Sequence, residues 1–317
     1  MGQRVSPAER DVVVFGALRS GSTLLRLMID AHPSLHCNGE HDYLFDHVRF
    51  DLATNRWLID RDKLLLDRVF LAHDIKCPET SDAKVAIDYL LAQLREKGGG
   101  KFVAMIHRNL ATAIALLNDP LIIHLIRDPR DVAASSIGMG WAGNVYFGAD
   151  HWVATETEWM TVSPELHPSS VFTLRFERLI ADPSSQLTDL CGFVGVDYSS
   201  QMLEYHRTST YEPVDPSLAT QWCKKRTAKE LALIELRVGD LLASSGFEPS
   251  IARPINLGLF GQAMLWFQKK VYRWRVRIER YGLLDSVWVA MARRLGIEAW
   301  AAPAIRRMHE RTKLYLK

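Results

Sequence analysis

Cysteine is scarce: Cys37, Cys77, Cys191 and Cys223 lie far apart in 317 residues, and no two form a C-x-x-C pair. That excludes a cysteine-based zinc site and a disulfide framework, and it suits a reducing compartment. Long apolar runs are also missing. No window reaches the run of about 18 apolar residues that a membrane span needs. The start Met1-Gly2-Gln3-Arg4 leads into no apolar core of signal-peptide length, so a cytoplasmic protein is expected. Met1–Ser6 does match the myristoylation pattern M-G-x-x-x-[ST], a pattern short enough to arise by coincidence. Internal repeats and low-complexity tracts are absent, and composition is that of an ordinary globular chain.

The most telling absence is a single lysine. Gly16-Ala17-Leu18-Arg19-Ser20-Gly21-Ser22-Thr23 follows the apolar run Val12–Phe15 and precedes Leu24–Ile29. Strand, glycine-bearing turn and helix are the setting of a phosphate loop. Two glycines let the backbone curl so that N–H groups point inward, toward the positive end of the next helix. The spacing is that of G-x-x-x-x-G-K-[ST], but Ser22 stands in the lysine's slot. Without the lysine that reaches the β- and γ-phosphates, hydrolysis of ATP or GTP is disfavoured. Arg19 is a different cation in a different place, and the loop suits a phosphate-bearing donor other than a simple triphosphate.

Around the loop, short β-branched runs alternate with helical patterns. Strands are expected at Val12–Phe15, Phe102–Ile106, Leu121–Ile126 and Val171–Leu174, and helices at Asp82–Lys97, Leu110–Leu117, Pro129–Ile137 and Ala228–Ser244. Continuous apolar strands separated by helices imply a parallel sheet covered on both faces. The segment Phe45–Leu71, rich in Asp, Arg and Leu, reads as helical. A second motif follows the strand Leu121–Ile126: Arg127-Asp128-Pro129-Arg130-Asp131, with Ser135 about two helical turns further on. A cation at the C-terminal end of a strand sits where open α/β sheets bind ligands. Two anion pockets side by side suggest a donor with two separated phosphates. The bland alternative pairs Arg127 with Asp131.

Those residues carry a resemblance. Arg19-Ser20-Gly21-Ser22-Thr23-Leu24, continuing through Asp30-Ala31-His32-Pro33, resembles the 5′-phosphosulfate loop of sulfotransferases that use PAPS (3′-phosphoadenosine 5′-phosphosulfate), nearest the tyrosylprotein and bacterial branch. Arg127 to Ser135 resembles that family's 3′-phosphate motif, and Leu174–Leu179 with Asp182-Pro183 is similar to its Y-E-x-L…P segment. The resemblance spans roughly Asp11 to Pro249. It implies an α/β, three-layer P-loop-like fold with a central parallel sheet flanked by helices. Residues 1–253 would form the sulfotransferase domain and 254–317 a helical extension.

The resemblance also implies roles. Arg19, Ser20, Gly21, Ser22, Thr23 and Leu24 would hold the 5′-phosphosulfate, with Arg19 neutralising the transferring group. Arg127 and Ser135 would grip the 3′-phosphate, and Lys225, in the stretch Trp222–Lys225, would fold over the nucleotide. The tyrosylprotein branch uses a glutamate base shortly after A-H-P, and Glu40 occupies that position, with His36 and His41 as rivals. His107-Arg108 falls near a lysine of that branch, which makes His107 a second catalytic candidate, although pairing with Asp128 is the structural alternative. The expected reaction is in-line transfer to a hydroxyl group of a small molecule or lipid, with base assistance and no metal. A P-loop kinase using ATP, or a non-catalytic nucleotide- or membrane-binding module, are the competing readings.

Charge divides the chain. From Pro254 onward there are 13 Lys+Arg against four Asp+Glu, a net of +9, which leaves −7 for residues 1–253. Helices are expected at Gly261–Tyr281, Leu283–Leu295 and Glu298–Leu314. In the first, Met264, Phe267, Val271, Trp274, Ile278 and Tyr281 form an apolar stripe. Three readings stand: a cap packed on the body by that stripe, a peripheral membrane surface at the inner face of the membrane, or a contact in a homo-oligomer. No motif for reading nucleic acid is present.

Overall fold

The computed structural model describes residues 10–250 and 255–312. The myristoylation pattern, the junction at 253 and 254, and the end of the third C-terminal helix lie outside the described residues. The chain divides into two compact units. One comprises residues up to Val132, His151–Arg226 and Val238–Pro249. The other comprises Ala133–Asp150, Thr227–Arg237 and the chain from Ser250. The second unit thus joins two segments from within 1–253 to the C-terminal helices.

The first unit is built on seven strands, β1 (Val12–Phe15), β2 (Leu35–His36), β3 (Val48–Asp51), β4 (Arg56–Ile59), β5 (Lys101–Ile106), β6 (Leu121–Ile126) and β7 (Val171–Arg175). Five form a parallel sheet in the order β2-β5-β1-β6-β7. Alternate side chains of each strand enter different cores. Val13 and Phe15 pack with Ile87 and Leu90 on one face, whereas Val12 and Val14 pack with Leu25, Met28 and Ile29 on the other. The helices concerned are α1 (Ser22–Asp30), α2 (Ala83–Glu96) and α3 (Leu110–Leu116), the last two on the Phe15 side. Burial on both faces is why these strands read as unbroken apolar runs, and it makes the three-layer P-loop-like fold that was expected.

Two elements differ from expectation. Phe45–Leu71 is not simply helical: β3 and β4 form an antiparallel hairpin, preceded and followed by short helices. Its turn holds Asn55 at φ 52, in the left-handed region, and the Thr54 hydroxyl donates to Asp51 at 2.6 Å. The expected helix Ala228–Ser244 breaks at Gly239, φ 60, into two pieces, Ala228–Val238 and Leu241–Ser244. After α3 the chain also forms α4 (Pro129–Gly138), α5 (Asp150–Val162), which periodicity did not reveal, and α6 (Pro183–Val194), capped by Asp182 accepting from the Ser185 N–H.

The second unit contains α7 (Leu259–Tyr281), α8 (Leu283–Arg294) and α9 (Glu298–Thr312). Val289, Ala292, Ala301, Ala304 and Met308 form the core between α8 and α9, and Arg307 meets Asp285 at 2.6 Å. One face of α7 packs inside this unit. Leu265 is buried, the Tyr272 hydroxyl donates to the Ile137 carbonyl at 2.9 Å, and Lys269 reaches Asp150 at 2.8 Å. Most of the apolar stripe is on the other face, where Phe267 is 63% and Val271 51% exposed, while Tyr281 at its end packs partly buried against the α8–α9 core. Within the second unit, then, most of that stripe has no packing partner. Among the described residues, no helix is long and apolar enough to cross a membrane.

Candidate active site

Because the five strands are parallel, their C-terminal ends share one edge of the sheet. Four of them carry the residues of interest: Gly16–Gly21 after β1, His107 after β5, Arg127 after β6 and Phe176 after β7. β1 is flanked by both β5 and β6, so the connections diverge around it, and the crevice beyond such a point is where open α/β sheets take ligands.

The loop is tightly fixed. The Ser20 N–H donates to the Ala17 carbonyl at 3.0 Å, and both Arg19 (φ 74) and Gly21 (φ 97) are left-handed. A Cβ on Gly16 would lie 2.2 Å from the Leu125 carbonyl oxygen, and one on Gly21 would lie 2.2 Å from the Phe176 ring. Glycine is therefore required by close approach at the first position, and by both contact and backbone at the second. The Leu25 N–H closes on the Gly21 carbonyl at 3.0 Å, so the N–H groups of Ser22, Thr23 and Leu24 open α1 with no partner one turn back. The Ser20 hydroxyl is fully buried and has no hydrogen-bond partner among the described residues. An inward hydroxyl and a helix N-terminus above a glycine-shaped bend make a cradle for an anion.

Arg127 stands beside this loop. Its guanidinium lies 4.2 Å from the centre of the Phe176 ring and donates to the carbonyls of Arg19 (3.4 Å) and Leu218 (3.1 Å). Phe176 thus supports both Gly21 and Arg127. Burial lowers the Arg127 pKa, against the attraction of Asp131 and Glu177. It also forms an i,i+4 ion pair with Asp131 at 3.9 Å, longer than a hydrogen bond, as the bland alternative has it. Asp131 accepts in addition from the Trp222 N–H at 2.9 Å, and burial pushes its carboxyl up to about 6 despite Arg127. Arg130 is held by Asp128 at 2.7 Å and stacks 3.7 Å from the Trp222 ring centre, so Asp128 pairs with Arg130 and not with His107 or Arg108. Lys225 is exposed and donates to Gln221 at 2.9 Å; within its stretch, Trp222 is the residue that packs inward. Ser135 lies on α4, in the second unit.

On the other side of the loop, Asp30 receives the N–H groups of Cys37 (2.6 Å) and Asn38 (3.0 Å). This fixes a turn with Asn38 at φ 60 and Gly39 at φ 143, and it presents Glu40 half-buried. The rival histidines are committed elsewhere. His36 bonds the Leu94 carbonyl at 3.2 Å. His41 accepts the Met105 N–H on Nδ1 at 3.1 Å, and burial holds its pKa well below the usual histidine value.

His107 is held differently. Asp42 accepts its backbone N–H at 2.7 Å and its Nδ1–H at 2.8 Å. Burial works to raise the Asp42 pKa, but the hydrogen bond and charge of His107 outweigh it, and the carboxyl stays below its ordinary value. For His107, burial works downward, yet the Asp42 hydrogen bond and the charges of Asp42 and Glu40 leave its pKa raised. With Nδ1–H on Asp42, the neutral ring carries its lone pair on Nε2. That atom is buried, with no hydrogen-bond partner among the described residues. Glu40, Asp42 and His107 bring one donor atom each to within 4.8 Å of one another, close enough to hold a metal ion. Asp42 is the residue that the sequence did not single out. It is 65 positions from His107, and β5 pairing beside β2, continued by the His41 N–H donating to the Met105 carbonyl at 2.7 Å, brings them together.

The family model described as "Sulfotransferase family" matches residues 11–200. A Caenorhabditis briggsae protein, provisionally named a protein-tyrosine sulfotransferase, is 25% identical over 216 residues, covering 64% of this chain and 71% of that protein. Among solved structures, the sulfotransferase domain from the curacin biosynthetic pathway superposes with a TM-score of 0.57 at 19% identity, over 75% of this chain and 98% of that one. The sulfotransferase domain from the Synechococcus PCC 7002 olefin synthase gives 0.54 at 20% identity, over 76% and 98%. At these identities the structural likeness establishes the fold.

Proposed function

The chain belongs to the sulfotransferase family, and from that premise we propose that it moves a sulfuryl group from PAPS to a hydroxyl-bearing acceptor. The observation that carries this reading is a convergence at one sheet edge. The anion cradle at Ser20–Leu24 and the supported guanidinium of Arg127 lie at the ends of adjacent strands, and an oriented base, His107, follows the strand on the other side of β1.

The residues fit the donor. Its 5′ end would be held by Arg19, the buried Ser20 hydroxyl and the N–H groups of Gly21 to Leu24, and Arg127 would take the 3′-phosphate. When bound, PAPS supplies an activated sulfuryl group on a phosphate oxygen. Transfer forms a bond from the acceptor oxygen to sulfur and breaks the bond from sulfur to the phosphate oxygen, releasing adenosine 3′,5′-bisphosphate. Arg19 and the loop N–H groups stabilise charge spread over the equatorial oxygens, as such groups do in phosphoryl transfer. His107 Nε2 accepts the proton of the acceptor hydroxyl, while Asp42 holds the tautomer and stabilises the imidazolium. Glu40 reaches the same space, adds negative charge that favours the protonated ring, and is the alternative base. The acceptor is a small molecule or lipid alcohol.

The test adds isotopically labelled PAPS and the purified protein to cell extracts and searches by mass spectrometry for products heavier by one sulfuryl group. The expected outcome is a labelled product, lost in His107→Asn, and a KM for PAPS raised at least tenfold in Arg127→Ala. Failure of the unaltered protein to bind adenosine 3′,5′-bisphosphate in calorimetry would sink the reading independently of any acceptor.

A further inference from the structure

We infer that the outward face of α7 is a docking surface for an anionic lipid bilayer, on which the helix lies flat. This inference rests on the surface alone and is independent of the proposed reaction. Fourteen of the 24 exposed large apolar side chains among the described residues fall between Leu259 and Trp300. In α7 they are ordered rather than scattered. Phe260 (84% exposed), Met264 (50%), Phe267 (63%), Val271 (51%) and Trp274 (39%) recur every three or four residues, so they form one stripe along a helix of 23 residues, about 34 Å long. The opposite face already has its partners in the second unit, so the stripe has no remaining packing role there.

Cations border the stripe. Lys270 lies 5.1 Å from the Trp266 ring centre and Arg277 lies 5.8 Å from that of Trp274, while Arg273 is exposed beside them. Indole and phenyl rings beside long basic side chains suit the boundary between acyl chains and headgroups, where the rings enter and the cations meet lipid phosphates. Charge also selects this occupant over a second copy of the chain. With 13 Lys+Arg against four Asp+Glu from Pro254 onward, two such faces brought together would repel. An anionic surface complements them. The helix is too polar to cross a bilayer, so it lies on one.

The test is co-sedimentation of the full chain with phosphatidylcholine vesicles and with vesicles also containing phosphatidylglycerol. Binding is expected only with the anionic vesicles and should be lost at high salt. Phe267→Glu with Trp274→Glu should lower the bound fraction at least tenfold, with unchanged circular dichroism and Tm. Should that double variant fail to fold, Lys270→Glu with Arg273→Glu should give the same loss while keeping the apolar stripe. Three results would overturn the inference: no binding by the unaltered protein, equal binding to both vesicle types, or binding that persists in both variants. A dimer in sedimentation velocity that Phe267→Glu dissociates, with no vesicle binding, would assign the face to a second copy.

Discussion

Asp42 acts on the proposed reaction through His107, and this gives it a signature that a merely structural residue would lack. The hydrogen bond and charge of Asp42 are what raise the His107 pKa against the effect of burial. A base must be unprotonated, so kcat/KM should fall as pH drops through a midpoint above the ordinary histidine value. In Asp42→Asn that midpoint should move to lower pH and the plateau should fall roughly 100-fold. A pH–rate profile checks both, and an unmoved midpoint would remove Asp42 from the mechanism. The same pair bears on stability. The Asp42 contribution is present above the unfolded carboxyl pKa and is lost as pH falls through the lower folded one. The His107 contribution is present below the unfolded histidine pKa and is lost as pH rises through the higher folded one.

Asp131 illustrates the opposite sign. Its folded-state carboxyl is pushed up to about 6 by burial, so the unfolded chain releases that proton first, and stability declines as pH rises toward 6. Asp131→Asn keeps an acceptor for the Trp222 N–H and removes the buried charge. Its gain over the parent should grow between about pH 4 and 6 and then level at on the order of 2 kcal/mol. Thermal melts across that range read it directly.

Among the elements, the loop after β1 depends on two glycines for different reasons. At Gly16 an added methyl meets the backbone oxygen of Leu125, which cannot move without disturbing β6. Gly16→Ala should therefore cost about 1–3 kcal/mol in denaturant unfolding. At Gly21 the methyl meets the ring of Phe176, which also supports Arg127, and the backbone is left-handed. Gly21→Ala should weaken PAPS binding by more than its loss of stability explains. Calorimetry of adenosine 3′,5′-bisphosphate binding, set beside a melt, separates the two effects. The hairpin β3–β4 was hidden in the sequence because its strands are four residues each, the alternation Val48-Arg49-Phe50-Asp51 is too short to stand out, and Trp57-Leu58-Ile59 does not alternate at all. The stripe on α7 was legible as a stripe, but periodicity says only that such residues share a face, and burial decides which face packs.

For the molecule as a whole, the source of positive charge at the site distinguishes the proposed donor from ATP. Arg19, Arg127 and the N–H groups of α1 supply it without the lysine of triphosphate loops. Transfer from PAPS should continue in EDTA, and ATP should not replace PAPS as donor. Activity that EDTA abolishes and a divalent cation restores would reassign Glu40, Asp42 and His107 as metal ligands, for which their spacing is short enough.

The sequence by itself determined the parallel sheet, the glycine-bearing loop after β1 and the cation after β6, because each depends on residues close together in the chain. A strand buried on both faces must be apolar throughout, and a loop bent around an anion needs glycine at fixed spacing. Only the tertiary structure decided that Asp42 holds His107, that His36 and His41 are committed to backbone groups, that Trp222 rather than Lys225 packs inward, and that the stripe of α7 faces out. Each of these depends on groups from distant segments meeting, or failing to meet, in space, and no local spacing encodes that.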